Sequence, residues 1–198
     1  MTATCDFCNG NPEVPRTTDA REKAIETAER LFRVQGYAAT GLTQIIEESG
    51  SPKGSFYFHF PGGKRELAVE VIAAYRARTT AGFRTLADRT AGHPDAFVRG
   101  LAKGIADEMS RSGWTVGCVA QTLAQELAPS DVEIADALAA LFDAWVEIIA
   151  SAIGASQPSA SARRRAVALI AALEGARTLA RAQRAATPFD AVASQFLH

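Results

Sequence analysis

Residues 51–64 read SPKGSFYFHFPGGK, and the fold turns on this stretch. Phe56, Tyr57, Phe58, His59 and Phe60 follow one another between Lys53 and Lys64, with no acid in the run. At about 100° per residue a helical wheel separates them by role. Phe56 and Phe60 share one face and are expected in the core, against the first helix and Ile45. Gly54, Ser55 and Phe58 fall opposite, with Tyr57 and His59 on the flanks. A helix aromatic all round is normally buried. This one is two turns long, bounded by Pro52 and by Pro61-Gly62-Gly63, and flanked by Lys53, Lys64 and Arg65, so a contact surface is the better reading.

Outward from it the chain reads as helices. Ala20, Ala24, Ala28, Leu31 and Phe32 recur at three- and four-residue spacing, with Thr18 or Asp19 as caps and Gly36 as terminator. A short helix over Leu42 to Ser49 carries Ile45 and Ile46, and Gly50-Ser51-Pro52 breaks it from a third helix over Lys53 to Phe60. Lys64 opens a long fourth helix with Leu67, Val71, Ile72 and Tyr75 on its apolar face. Further helices are expected at roughly 94–112, 115–128, 131–154, 160–185 and 188–197, separated by glycine- and proline-containing breaks. No stretch alternates with period two, so the expected class is all-α.

The 198 residues are 47% hydrophobic with a net charge of −1. Such a chain does not coat nucleic acid or membrane indiscriminately, so any basic patch is local. No apolar run is long enough to span a bilayer and no leader is visible, which implies a cytoplasmic protein without a membrane role. Residues 1–15 read as a mobile tail. Cys5, Cys8 and Cys118 are too few for a disulfide framework. Cys5 and Cys8 form half of a zinc pattern without its other half, so no metal and no cofactor are expected. Histidines stand only at 59, 93 and 198, and no nucleophile, paired-carboxylate or phosphate-loop motif accompanies them, so an enzyme is not expected.

Helix, short glycine-containing turn and second helix make a helix-turn-helix, whose second helix enters the DNA major groove by its N-terminal end. Gly54 then allows close approach to the duplex. Lys53 and Ser55 suit base edges or phosphate, Tyr57 and His59 suit phosphates, and Phe58 suits a thymine methyl. Lys64, at the start of a helix, also suits a phosphate.

The order Gly36-Tyr37, Thr40, Ile45, Gly50, Lys53 to Phe60 and Lys64 resembles the N-terminal domain of TetR/AcrR-family transcriptional regulators, and SPKGSFYFHFPGGK resembles the branch of LmrA- and YxaF-like repressors. That resemblance covers residues 19–66. It implies a homodimer on operator DNA, with a helix-turn-helix domain at 16–63 and a helical ligand-binding and dimerisation domain at 64–198. By position it implies DNA contacts from Lys53, Gly54, Ser55, Tyr57, Phe58, His59 and Lys64, with Thr40 and Thr43 near a phosphate. Gly41 stands where the family usually has a capping Ser or Thr, and Phe58 where Tyr or His is frequent.

The C-terminal half carries aromatic and sulfur-containing residues at helical spacing, as a packed core also would. The family implies a small-molecule inducer, for which Tyr75, Phe97, Met109, Trp114, Cys118, Phe142 and Trp145 are candidate walls. Gln121 and Gln125 are candidate polar contacts, and Asp107 and Glu108 candidates to balance a cation. Leu169, Ile170, Leu173, Ala176 and Ala180 form one stripe on the helix at 160–185, expected at a dimer interface. The expected protein is a ligand-released repressor; the alternative is an all-helical carrier or interaction module without DNA binding.

Overall fold

Short apolar repeats broken by glycine and proline close helices locally and leave their apolar stripes to be covered by neighbours. The computed structural model describes residues 17–154 and 159–197, and among these it contains nine α-helices and no strand. The expected tail at 1–15, with Cys5 and Cys8, lies outside the described residues, as does His198.

The N-terminal head comprises α1 (Thr17–Gln35), α2 (Leu42–Ser49) and α3 (Lys53–His59), and it runs into the long α4 (Gly63–Arg89). Gly36 ends α1 at φ 91° and Gly50 ends α2 at φ 65°, left-handed values that suit glycine. Gly41 at the start of α2 supplies no side-chain cap. The rest is α5 (Pro94–Arg111), α6 (Val119–Glu126), α7 (Val132–Ile153), α8 (Ala160–Gln183) and α9 (Thr187–Phe196). The Asp131 carboxylate caps α7 by accepting from Ile134 N–H, and the Ser159 hydroxyl caps α8 by accepting from Ala162 N–H.

Eight helices start and stop within about two residues of the sequence reading. The exception is α6, expected from 115 and found from Val119. Residues 115–118 are held out of the helix because Gly117 pairs with α1: its N–H donates to the Arg33 carbonyl at 2.9 Å, and its own carbonyl accepts from Arg33 Nε at 2.7 Å. A Cβ at Gly117 would lie 3.3 Å from the Arg33 carbonyl and 2.7 Å from Arg181 Nη2, so only glycine lets the two segments meet so closely.

One apolar cluster runs through the whole assembly, from Ala24, Phe32, Ile45, Phe56 and Phe60 in the head, along Leu67, Val71 and Tyr75 of α4, to Leu141, Trp145, Leu169 and Phe189. Within the head α1 packs on α2, α3 and α4; further on α4 packs on α7, α7 on α8, and α9 on α5 and α8. The head is therefore continuous in packing with the C-terminal helices. No helix among the described residues is long and apolar enough to cross a membrane.

Candidate nucleic-acid interface and effector cavity

The helical wheel of residues 53–60 is reproduced in space. Phe56 and Phe60 are each 1% exposed, with ring centroids 5.1 Å apart, while Phe58 is 78% and Tyr57 42% exposed. Lys53 and Gly54 face solvent, Ser55 is half-buried, and Thr43 is exposed on α2. A Cβ at Gly54 would meet no atom of the protein within 4 Å. Nothing inside the fold requires glycine there, so the open face is what the missing side chain serves. The order of α2, a turn of three residues and α3 thus presents an outward surface of one cation, one bare backbone position and two large rings.

The basic residues behind this surface have other partners. Lys64 Nζ donates to the carbonyls of Tyr37 at 2.9 Å and Thr40 at 2.8 Å, and sits 4.0 Å from the centre of the Tyr37 ring. Partial burial lowers the Lys64 pKa. Arg65 donates in a fork to Asp131 at 2.6 and 2.9 Å and to Glu133 at 2.7 Å, which ties the start of α4 to the start of α7. The Glu126 carboxylate at the end of α6 accepts from Tyr37 N–H at 3.0 Å and Ala38 N–H at 2.6 Å, capping the loop after α1. Head and C-terminal helices are thereby bolted together through α1, α4, α6 and α7.

Between α4, α5, α7 and α8 lies a cavity of about 370 Å3, within the range of small-molecule sites. Phe83, Leu86, Trp145, Ile149 and Ile170 supply an apolar wall. The Trp145 ring stacks at an angle against Tyr75, Phe83 and Phe142, and its Nε1 donates to Thr79 Oγ1 at 2.8 Å. The other wall is charged: Arg33, Arg78, Arg111 and Arg177 with Glu108 and Glu174. Arg33 comes from α1, so the N-terminal head itself contributes to the cavity. Arg33 Nη2 lies 2.8 Å from Glu108 Oε1 but off the N–H direction, an ion pair without a hydrogen bond. Arg33 and Arg78 also flank the Tyr75 ring at 5.8 and 5.3 Å. Burial raises the Glu174 pKa, opposed by Arg177, and pushes the Cys118 thiol up to about 11.

A sequence profile of bacterial regulatory proteins of the tetR family matches residues 24–71, and one for the C-terminal domain of LmrA/YxaF-like transcriptional regulators matches residues 94–195. An uncharacterised HTH-type transcriptional regulator of Mycobacterium tuberculosis is 30% identical over 181 residues, 88% of this chain and 91% of that relative. The chain belongs to the TetR family of bacterial transcriptional regulators. The HTH-type transcriptional regulator LmrA of Bacillus subtilis is 63% identical to it over 54 residues, 27% of this chain and only 29% of the length of LmrA. Among solved structures, a TetR transcriptional regulator from Legionella pneumophila superposes with a TM-score of 0.79 at 20% identity, covering 93% of this chain and 97% of that one, which is a likeness of fold. A TetR regulator from Chloroflexus aurantiacus gives 0.72 at 26% identity over 91% of this chain and 93% of that one. These relatives are transcriptional regulators, not enzymes.

Several expectations from the sequence change in this TetR-family chain. Thr40 is fully buried and its hydroxyl donates to the Gly36 carbonyl at 2.6 Å, so it closes the turn after α1 and cannot meet a phosphate. Lys64 gives two of its three N–H donors to carbonyls, as above. His59 Nε2 is enclosed without a hydrogen-bond partner, its ring lying between those of Phe58 at 5.2 Å and Phe60 at 6.3 Å, which withholds that nitrogen from DNA. Of the candidate cavity residues, Tyr75 and Trp145 line the cavity between α4, α5, α7 and α8. Phe97, Met109 and Cys118 are packed core at 0–1% exposure, and Trp114 is half-buried away from it. Gln121, Gln125 and Phe142 line a separate groove between α6, α7 and α8, where Gln121 Nε2 donates to the Glu174 carbonyl at 3.3 Å.

On α8 the expected interface stripe points inward. Leu169, Leu173, Ala176 and Ala180 are 0–3% exposed within one protomer, and Ile170 lines the cavity. The helix is apolar or small on two faces, so periodicity alone could not choose between them. Asp107 pairs with Lys103 at 2.7 Å, whereas Glu108 does face the cavity. The sequence reading missed Arg33, Glu174 and Arg177. A signal existed for two of them: Glu174 and Arg177 fall in phase with the buried stripe of α8, where charge is rarely tolerated without a task. Among the described residues no group of three or more metal-ligating side chains converges.

Proposed function

We propose that this chain is a homodimeric repressor, working in the cytoplasm, that reads a pseudo-palindromic operator through α3 and leaves it when a small amphipathic ligand fills the cavity. Residues 16–63 serve as reading head and 64–198 as ligand-binding and dimerisation part. The observation that carries the DNA role is the outward face of α3: Lys53, Gly54, Tyr57 and Phe58 stand free while Phe56 and Phe60 anchor the helix from behind. Ser55 and Thr43 complete the contact set.

The dimer is assigned to the outer face of α8, where Ala168, Ala171, Gly175, Thr178, Leu179 and Ala182 are all exposed. Small residues let a partner helix approach closely, and a two-fold axis would pair this face with itself. Val167 and Leu179, each 54% exposed, supply the apolar contacts. A ligand that fits the cavity better at one head separation than at another shifts the dimer between DNA-competent and DNA-incompetent forms.

An electrophoretic shift tests the DNA role with the fragment upstream of the chain's own gene. The wild type is expected to shift it, and Tyr57→Ala and Lys53→Ala to bind about tenfold more weakly, as loss of a groove or phosphate contact would give. No shift by any of the three at low salt would refute the reading and leave a carrier or interaction module.

A further inference from the structure

The charged wall of the cavity holds donors without acceptors. Arg177 is 6% exposed, and its Nε and Nη1 have no hydrogen-bond partner. Its nearest acids stand at ion-pair distance only: Glu174 Oε1 at 3.5 Å and Glu108 Oε2 at 3.9 Å. The other oxygen of Glu108, Oε1, faces Arg33 Nη2, which likewise makes no hydrogen bond. Two guanidinium groups from different helices therefore converge on one carboxylate. Unmet buried charged donors are costly, and a planar acid meeting a guanidinium fork is among the strongest polar contacts available. Glu108 is a poor permanent occupant. Its side chain is 39% exposed, so it can swing into water when another anion takes its place between the two guanidinium groups.

From this geometry we infer that the ligand is an amphipathic organic anion, whose acid group replaces the Glu108 carboxylate between Arg177 and Arg33 and whose apolar body lies against Phe83, Trp145 and Ile170. The inference rests on the effector-cavity reading above and adds the chemical class of the ligand. The cavity is lined by four arginines, Arg33, Arg78, Arg111 and Arg177, and two acids, Glu108 and Glu174, of which Arg33 and Arg177 face the Glu108 carboxylate. Glu29, buried on α1, pairs with Arg78 and lies 3.7 Å from Arg33 Nη1. These four arginines already outnumber Glu29, Glu108 and Glu174; the excess grows when Glu108 moves out, and a bound anion takes its place. A cationic ligand would instead meet the guanidinium groups head on.

Arg33 gives the anion a lever on the head. Its Nε holds the Gly117 carbonyl at 2.7 Å, its own carbonyl accepts from Gly117 N–H at 2.9 Å, and Arg181 Nη2 donates to the Thr115 carbonyl beside it at 2.8 Å. A ligand acid that draws the Arg33 guanidinium toward Arg177 pulls on the last turn of α1, one turn from the loop that leads into α2.

The test is calorimetric titration of the full chain with naphthoate and decanoate, their neutral amides, and decylammonium. Each carboxylate should bind about tenfold or more tightly than its amide, and decylammonium weakest, because only the anion satisfies both guanidinium groups. Arg177→Gln should abolish the preference, with Arg177→Lys keeping part of it. Glu108→Gln should tighten carboxylate binding about threefold or more by removing the internal competitor. Should Arg177→Gln not fold, the wild-type comparison and Glu108→Gln still decide. Amides that bind as tightly as carboxylates, a preference for decylammonium, weaker carboxylate binding by Glu108→Gln, or no binding by either carboxylate overturns the inference. Operator DNA separates this from the function above. Carboxylates that bind without releasing DNA leave the anion site standing and remove ligand release; amides that release DNA where carboxylates do not do the reverse.

Discussion

Replacing Lys64 by methionine separates two roles that the sequence alone makes equally attractive. If Lys64 met a phosphate, Lys64→Met would leave stability unchanged and lower the salt slope of DNA binding by roughly one unit. The structure assigns it differently, since its ammonium donates to the Tyr37 and Thr40 carbonyls at 2.9 and 2.8 Å and caps the Tyr37 ring. Two hydrogen bonds from a charged donor contribute about 3 kcal/mol at the low end, and partial solvent exposure reduces this to about 2 kcal/mol. Methionine keeps the alkyl stem but leaves both carbonyls to find water. For a chain of 198 residues about 2 kcal/mol corresponds to a fall in Tm of roughly 4–8 °C. Circular dichroism melting gives that number, and an electrophoretic titration over a range of salt gives the slope. The paired control is Lys53→Met: its side chain is exposed and enters none of the ion pairs described, so stability should change by no more than ~0.5 kcal/mol while the slope falls by about one. A Lys64→Met protein with wild-type melting and a reduced slope would refute this reasoning.

Three further outcomes are expected. Gly117→Ala places a Cβ 3.3 Å from the Arg33 carbonyl, so the contact with the end of α1 must loosen; thermal melting should show a loss of about 1–3 kcal/mol, and an unchanged Tm would count against the brace. Leu179→Arg puts a charge on the outer face of α8 and should turn the proposed dimer into a monomer in sedimentation or light scattering without loss of helix, whereas a persisting dimer would move the interface elsewhere. Burial raises the Glu174 pKa, with Arg177, Cys118, Arg33 and, across the cavity, Glu108 as the titratable and charged groups around it. A raised acid contributes stability that is complete below the ordinary carboxylate range and lost as pH climbs through the raised value. The urea midpoint of wild type should therefore fall over that window relative to Glu174→Gln, and a wild type that instead gained stability with pH would show the carboxylate to be well paired.

The part of this protein legible in the sequence is the part governed by neighbours within a turn or two. Apolar spacing, glycine at Gly36 and Gly50, and proline at Pro52 and Pro94 mark helix after helix because helices are built from contacts three and four residues apart. The same locality let the wheel divide residues 53–60 into the buried Phe56 and Phe60 and the exposed Tyr57 and Phe58. What lay beyond it was which charges are free. Lys64 is claimed by carbonyls 24 and 27 residues back, and Arg65 by acids 66 and 68 residues ahead. A run that looks basic in sequence therefore offers the outer surface little more than Lys53. The late start of α6, the inward choice of the Leu169 and Leu173 face on α8, and the meeting of Arg33, Glu108 and Arg177 at one cavity were likewise settled only by packing. Each depends on groups from separate helices reaching the same point, and a desolvated charge or a two-faced apolar helix takes its role from what arrives opposite it.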